Sequence, residues 1–451
     1  MEKVQNAKGN VVAIIAMFFL FAMISFVTNL AAPLGTIWKG HYEWSGMLGN
    51  MMNFLAYLFM GIPAGKLLAS RGYKKTALYA MVVGLVGLVL QWLSSFVGAE
   101  TGTFAVGGQT VMLNFLIYLL GAFVCGFCVC MLNTVVNPML NSLGGGGNRG
   151  NQLVQTGGSF NSLAGTLTPL FVGMLVGQVT ADTTMGKVEP LLFIAMAVFV
   201  LAFIVISAVK IPEPHKGSPA KKAVKSKYSP LSFRHTVLGV LGIFFYVGIE
   251  VGIPGELIFY LSDSEASGIM ENATAVAGGV AAVYWLLMLV GRLVSSAISG
   301  VVSSKIQLTV VTVVAISLIG IAIFMPGEMR ISMPSYSPAD GFVMVEVPAK
   351  ALFLVLCGLC TSVMWGGIFN LAVEGLGKYT AAASGLFMTM VVGGGVMPLI
   401  QDAIANAWGY MNSYWLVIAM LVYLFFYAVA GCRNVNTDIP VDDDAPDMRD
   451  L

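Results

Sequence analysis

Glu250 is a carboxylate in the middle of an apolar run, within YVGIEVGI (246–253). The run begins near residue 236, so Glu250 lies about 21 Å along a helix that rises 1.5 Å per residue. That depth is close to the middle of a bilayer, where a charge is costly to hold. A carboxyl that takes up and releases a proton at such a depth is what proton coupling needs. The plainer reading is a protonated glutamate that hydrogen-bonds a neighbour. The sequence places no basic residue at comparable depth to pair with it permanently.

Amides form the second chemical group. MLNTVVNPML (131–140) carries Asn133 and Asn137 four residues apart, with Pro138 directly after the second. Lipid offers an unpaired amide nothing to bond with. One reading is structural: a buried amide joins two helices for about 0.6 kcal/mol on average and up to about 2 kcal/mol. Pro138 also frees a carbonyl near Thr134, which Thr134 or Asn137 can help satisfy. The other reading is binding, because an amide matches both the donor and the acceptor of a hydroxyl. Trp365 and Phe369, four apart on one helical face, can stack a ring or pack the core.

These residues need elements to hold them at depth, and the composition says which. The chain is 57% hydrophobic and 10% charged, with a mean hydropathy of +0.85. That excludes a large water-soluble module and specifies an all-α, polytopic membrane protein. Twelve apolar runs are long enough to span, at approximately 11–36, 45–68, 76–98, 110–140, 152–179, 190–210, 236–261, 273–301, 307–325, 349–374, 380–405 and 412–431. The first is too long for a cleaved signal.

Between the sixth and seventh runs, KIPEPHKGSPAKKAVKSKYSPLSFRH is proline-rich and basic, which divides the chain six plus six. The expected parts are a first half over 1–210, a basic linker over 211–235, a second half over 236–432 and an acidic tail over 433–451. Cytoplasmic loops collect Lys and Arg, so the linker and both termini are placed inside. Only Lys39, Lys187, Arg330 and Lys350 then fall outside. The outer loop 326–348 has room for a hairpin. A net charge of +1 gives no reason to expect a nucleic-acid partner. The Cys125–Cys128 C-x-x-C lies in an apolar run and reads as packing rather than as a zinc or redox pair. No cofactor, metal or catalytic group is expected, and the glycine-rich SLGGGGNRGN lacks the Lys-Ser/Thr of a phosphate loop.

Internal echoes support duplicated halves. NTVVNPMLNSLG aligns with GGIFNLAVEGLG, setting Asn137 opposite Asn370 and Asn141 opposite Glu374, and Pro169 falls opposite Pro398. The turn GIPAGKLLASRGYKKTAL, with Gly65, Gly72, Lys74 and Lys75, matches the short loop motif of the major facilitator superfamily, with Ala69 where an acid is usual. Its counterpart in the second half carries Gly291, Arg292 and Lys305.

With FVTNLAAP, LNTVVNP, SFNSLAG, YVGIEVGI, GGIFNLAVEGLG and GGGVMPLIQD, the chain resembles the fucose/glucose/galactose permease group of that superfamily. The resemblance implies twelve transmembrane helices in two pseudo-symmetric halves, and a monosaccharide imported into the bacterial cell through the inner membrane by alternating access and proton symport. It also implies a central cavity to which Asn29, Asn133, Asn161 and Asn370 converge, with Asn137, Trp365 and Phe369 as further sugar contacts. The group's two coupling acids correspond to Asn29 and Asn133, which cannot exchange protons, so the proton role falls to Glu250. Pro254 is expected to break the seventh run, and Gly393–Gly395 to loosen the eleventh. Gly65, Lys74, Arg292 and Asp402 are expected in gates. The partners are a sugar, a proton and the bilayer, and the chain is read as a functional monomer. An uncoupled or sodium-coupled carrier of another polar solute, a drug exporter and a non-transporting sensor are the alternatives.

Overall fold

The structure is a computed structural model of the 451-residue chain and describes residues 2–144, 147–176, 184–209, 211, 228–299, 301–337 and 341–441. Most of the basic linker, and the acidic tail beyond Val441, lie outside the described residues.

Lipid cannot satisfy backbone N–H and C=O groups, which forces the apolar runs into helices. They are α1 (Glu2–His41), α2 (Leu48–Arg71), α3 (Tyr73–Leu93), α4 (Leu113–Leu143), α5 (Gly147–Val176) and α6 (Glu189–Ala208), then α7 (Arg234–Ser262), α8 (Ala273–Ile298), α9 (Ser304–Phe324) and α10 (Lys350–Val373). α11 comes in two segments, Thr380–Met390 and Gly393–Trp408, and α12 is Tyr410–Phe426. Eleven described helices are long and apolar enough to cross a membrane. α5 completes the twelve with a different composition, carrying Gln152, Gln155, Thr156, Ser159, Asn161 and Ser162. It packs on α1 and on α8, and Gln155, Ser159 and Ser162 are buried.

α1–α6 pack among themselves, as do α7–α12. The halves meet where α5 lies on α8 and where α2 lies on both segments of α11. The hairpin β3 (Arg330–Ser337) with β4 (Gly341–Pro348) fills the loop that had room for one. A second hairpin, β1 (Gly102–Val106) with β2 (Gln109–Met112), was not expected. Its signal is Gly107–Gly108, both at positive φ (57° and 80°), which suits a tight hairpin turn. Both hairpins lie on one face of the bundle, called the hairpin face below. The α6–α7 linker leaves from the opposite, linker face.

Two expectations change here. Pro254 does not break α7, which runs unbroken from Arg234 to Ser262. The glycines of the short loop motif were expected to allow tight helix approach, but Gly65 marks none, because a Cβ built on it meets nothing within 4 Å. The glycine of that motif with a conformational task is Gly72, at φ 82° and ψ 174° between α2 and α3. Gly72→Ala is expected to cost about 1–3 kcal/mol through strain, read as a lower unfolding midpoint in detergent. The C-x-x-C cysteines serve packing: Cβ atoms built on Gly87 and Gly84 would lie 2.6 Å from Cys125 Sγ and 2.7 Å from Cys128 Sγ. Small residues there let α3 and α4 approach closely.

Candidate functional site

Glu250 has a partner that the sequence did not suggest. Arg292 Nη2 on α8 lies 3.2 Å from Glu250 Oε1, with side chains 11% and 16% exposed. The expectation that no basic residue pairs with Glu250 is therefore corrected. Measured from the linker-face ends of their helices, Glu250 is sixteen residues along α7, roughly 24 Å, and Arg292 six residues along α8, roughly 9 Å. The Arg292 side chain reaches the deeper carboxylate from nearer the linker face. Its Nη1 donates to the Gly158 carbonyl of α5 at 2.5 Å, so one side chain of the second half holds both Glu250 and the backbone of the first half.

Pro254 matters here in another way. A proline supplies no N–H to the carbonyl four residues earlier, which is Glu250's own. The Tyr284 hydroxyl of α8 donates to that carbonyl at 3.3 Å and lies 2.8 Å from Thr361 Oγ1 of α10. The residue that carries the charge is thereby tied to two neighbouring helices through its main chain. Tyr246, one turn earlier on α7, also faces the carboxyl. Its ring centre lies 6.0 Å from that of Trp365, which places the tryptophan beyond Tyr246.

Asn29, Asn133 and Asn161 are all half-buried in the first half. Asn29 Nδ2 donates to Ser25 O at 2.8 Å on its own helix. Asn161 Nδ2 donates to Phe21 O at 3.1 Å, joining α5 to α1. Asn133 Nδ2 donates to the Tyr57 hydroxyl at 2.8 Å, joining α4 to α2. Among the described residues nothing donates to their Oδ1 atoms, so each amide is fixed by its nitrogen and offers an acceptor oxygen. Asn161→Ala is expected to weaken the α1–α5 seam by about 0.6 kcal/mol and to raise the KM for transported solute several-fold, read from initial uptake rates. Asn137 acts locally, donating to Asn133 O at 3.0 Å next to Pro138.

Asn370 is not part of that group. It lies three residues from the end of α10, on an open cavity of about 780 Å³ at the linker face, with Ser303, Lys305, Glu374, Arg433 and Asn434. The expected four-way convergence is corrected: three asparagines belong to the first half and the fourth faces this cavity. Phe369 is half-buried edge-on to Phe387 of α11, centroids 5.4 Å apart. Lys74 Nζ donates to the carbonyls of Ser207 at 2.7 Å and Val209 at 2.8 Å, bonds that lie within the first half rather than across a gate. Asp402 is half-buried on the second segment of α11, near Tyr410 and toward the hairpin face, away from Arg292.

Sequence reasoning passed over Tyr57, Tyr246 and Tyr284. Two signals pointed to the last: Pro254 four residues after Glu250, and Tyr284 eight residues before Arg292, which sets both on one face of α8.

The sequence pattern of the Major Facilitator Superfamily matches residues 12–398. The chain belongs to this superfamily. A glucose/galactose transporter of Brucella abortus (strain 9-941) is 30% identical over 425 residues, covering 93% of both chains. The L-fucose-proton symporter of Escherichia coli K12 is 21% identical over 440 residues, covering 91% of this chain and 90% of its own. A crystal structure of the E. coli fucose:proton symporter matches with a TM-score of 0.70 at 18% identity, covering 93% of this chain and 98% of that one. That likeness establishes the twelve-helix fold. As a Major Facilitator Superfamily member, the protein is a multi-pass membrane transporter and not an enzyme.

Proposed function

We propose that this transporter imports a monosaccharide of the hexose or deoxyhexose class by alternating access, driven by the proton gradient. The reading places the chain as a monomer in the bacterial cytoplasmic membrane, with the linker face and both termini inside. The observation that carries it is the Glu250–Arg292 pair, set beside the junction of the two halves. Glu250 is the proton site. With amides at Asn29 and Asn133, the first half has no exchangeable proton at those positions, so coupling falls on the second half. Asn29, Asn133 and Asn161 each present an acceptor to sugar hydroxyls, and Trp365 offers a ring face beyond Tyr246. The named substrates of the relatives favour the sugar class.

The test is counterflow in proteoliposomes across hexoses and deoxyhexoses, repeated under an imposed pH gradient and with sodium replaced by choline. Concentrative uptake of at least one sugar that follows the pH gradient and ignores sodium is expected. Uptake that ignores the pH gradient would leave an uncoupled carrier, and no sugar response at all would sink the reading.

A further inference from the structure

We propose that Arg292 is a positioning residue that reads the charge of Glu250 and converts it into closure of the linker face, by gripping the Gly158 carbonyl while Glu250 is ionised. The inference rests on the reading of Glu250 as the proton site and adds how that proton is felt by the other half.

The geometry gives the guanidinium two tasks at once. Nη2 faces Glu250 Oε1 at 3.2 Å within the second half, and Nη1 donates to Gly158 O at 2.5 Å across the junction. A guanidinium has a rigid fork of donors, so holding one arm on the carboxylate aims the other at α5. Gly158 makes the approach feasible: a Cβ built there would lie 3.3 Å from Nη1 and 3.5 Å from Cδ of Arg292. Closure on this side extends to α11, whose first segment, nearer the linker face, packs on α2 and touches α4.

The titratable groups that face Glu250 are few. α8 brings Arg292 and Tyr284, and α7 itself brings Tyr246. From α10 the neighbours are Thr361, which has no titrating group, and Trp365 beyond Tyr246. From α11 and α12 no described titratable group acts on it. The charge of Glu250 is therefore answered by Arg292. When Glu250 takes up a proton, the guanidinium is left buried without an anion, a change on the order of 100-fold or more in a two-state population. Arg292 lies near enough to the end of α8 for its head to swing to water at the linker face. That swing releases Gly158 and lets α5 and α8 part. The sign suits import: the unprotonated carrier favours a closed linker face, and the protonated carrier is released toward it.

The experiment uses spin labels on exposed positions of the full chain, Gln152→Cys on α5 and Val301→Cys beyond α8, in a background whose six native cysteines are buried. Double electron–electron resonance is read between pH 8 and pH 5.5, with and without the sugar found by counterflow. The wild-type background should shift toward longer distances at low pH. Glu250→Gln should be long at every pH. Arg292→Lys keeps a cation for Glu250 but loses the fork, and should lose the pH response. Gly158→Leu pushes the guanidinium away from the first half without altering either charge, and should do the same. A wild-type pH response in both Arg292→Lys and Gly158→Leu overturns the latch. So does a Glu250→Gln protein that still responds to pH. A pH response that obeys the variants while no sugar shifts any distance would leave the latch standing and remove the sugar assignment instead.

Discussion

Vesicles carrying Glu250→Gln are expected to equilibrate sugar but not to concentrate it. A proton gradient of one pH unit can drive about tenfold accumulation per proton, since one unit is worth 1.36 kcal/mol. The wild type should approach that ratio with a one-to-one stoichiometry, and the variant should stay near one. Gln occupies nearly the same volume, so the bundle should fold, although its neutral amide no longer holds the Arg292 fork. What it cannot do is exchange a proton. Counterflow, which needs no net driving force, should persist in the same vesicles. Concentrative uptake by the variant at the wild-type ratio would remove Glu250 from its role.

The second large effect is steric. Gly393 begins the second segment of α11, and a Cβ built on it would collide with the Phe244 carbonyl of α7. The obstacle is backbone, so no rotamer change relieves it, and α7 and α11 must separate. Gly393→Ala is expected to destabilise by about 3 kcal/mol, at the upper end of overpacking costs. Gly394→Ala meets Val247 Cγ1 at 2.7 Å and Phe54 Cε1 at 2.9 Å, both ends of side chains, one in each half. It should cost less stability and act mainly on the movement between halves. Gly65→Ala is the control: with nothing within 4 Å it should be neutral or gain up to about 1 kcal/mol from helix propensity. Thermal unfolding in detergent checks all three. Equal losses at Gly393 and Gly65 would mean that the crowding at Gly393 is not what matters.

Much of the architecture was written in hydropathy. Lipid removes every backbone partner except the helix's own, so an apolar run of sufficient length has one stable form, and counting runs counts helices. The α5 run entered that count despite its amides, and the structure gives it protein neighbours on both sides. The second hairpin was equally legible in Gly107–Gly108, had the turn been weighed. Candidate chemistry was also visible at Glu250 and at the asparagines, because polar groups at membrane depth stand out against their surroundings.

Pairing was not visible. Hydropathy gives depth along a helix but not which face meets which neighbour, nor how far a long side chain reaches. Arg292 is much nearer its helix end than Glu250, yet in the packed bundle its side chain meets both the carboxylate and the Gly158 carbonyl. Pro254 looked like a break and instead left a carbonyl that Tyr284 occupies. Asn370 shared a repeat with Asn137, but its place near the end of α10 sets it on the linker face.

Depth in the bilayer was decided by the order of residues; the choice of partner for each buried polar atom was left to how the helices pack. A salt link joining one bundle's acid to the other bundle's main chain exists only once both bundles are assembled. Arg292 lies 42 positions from Glu250 and 134 from Gly158, and no local pattern encodes that encounter.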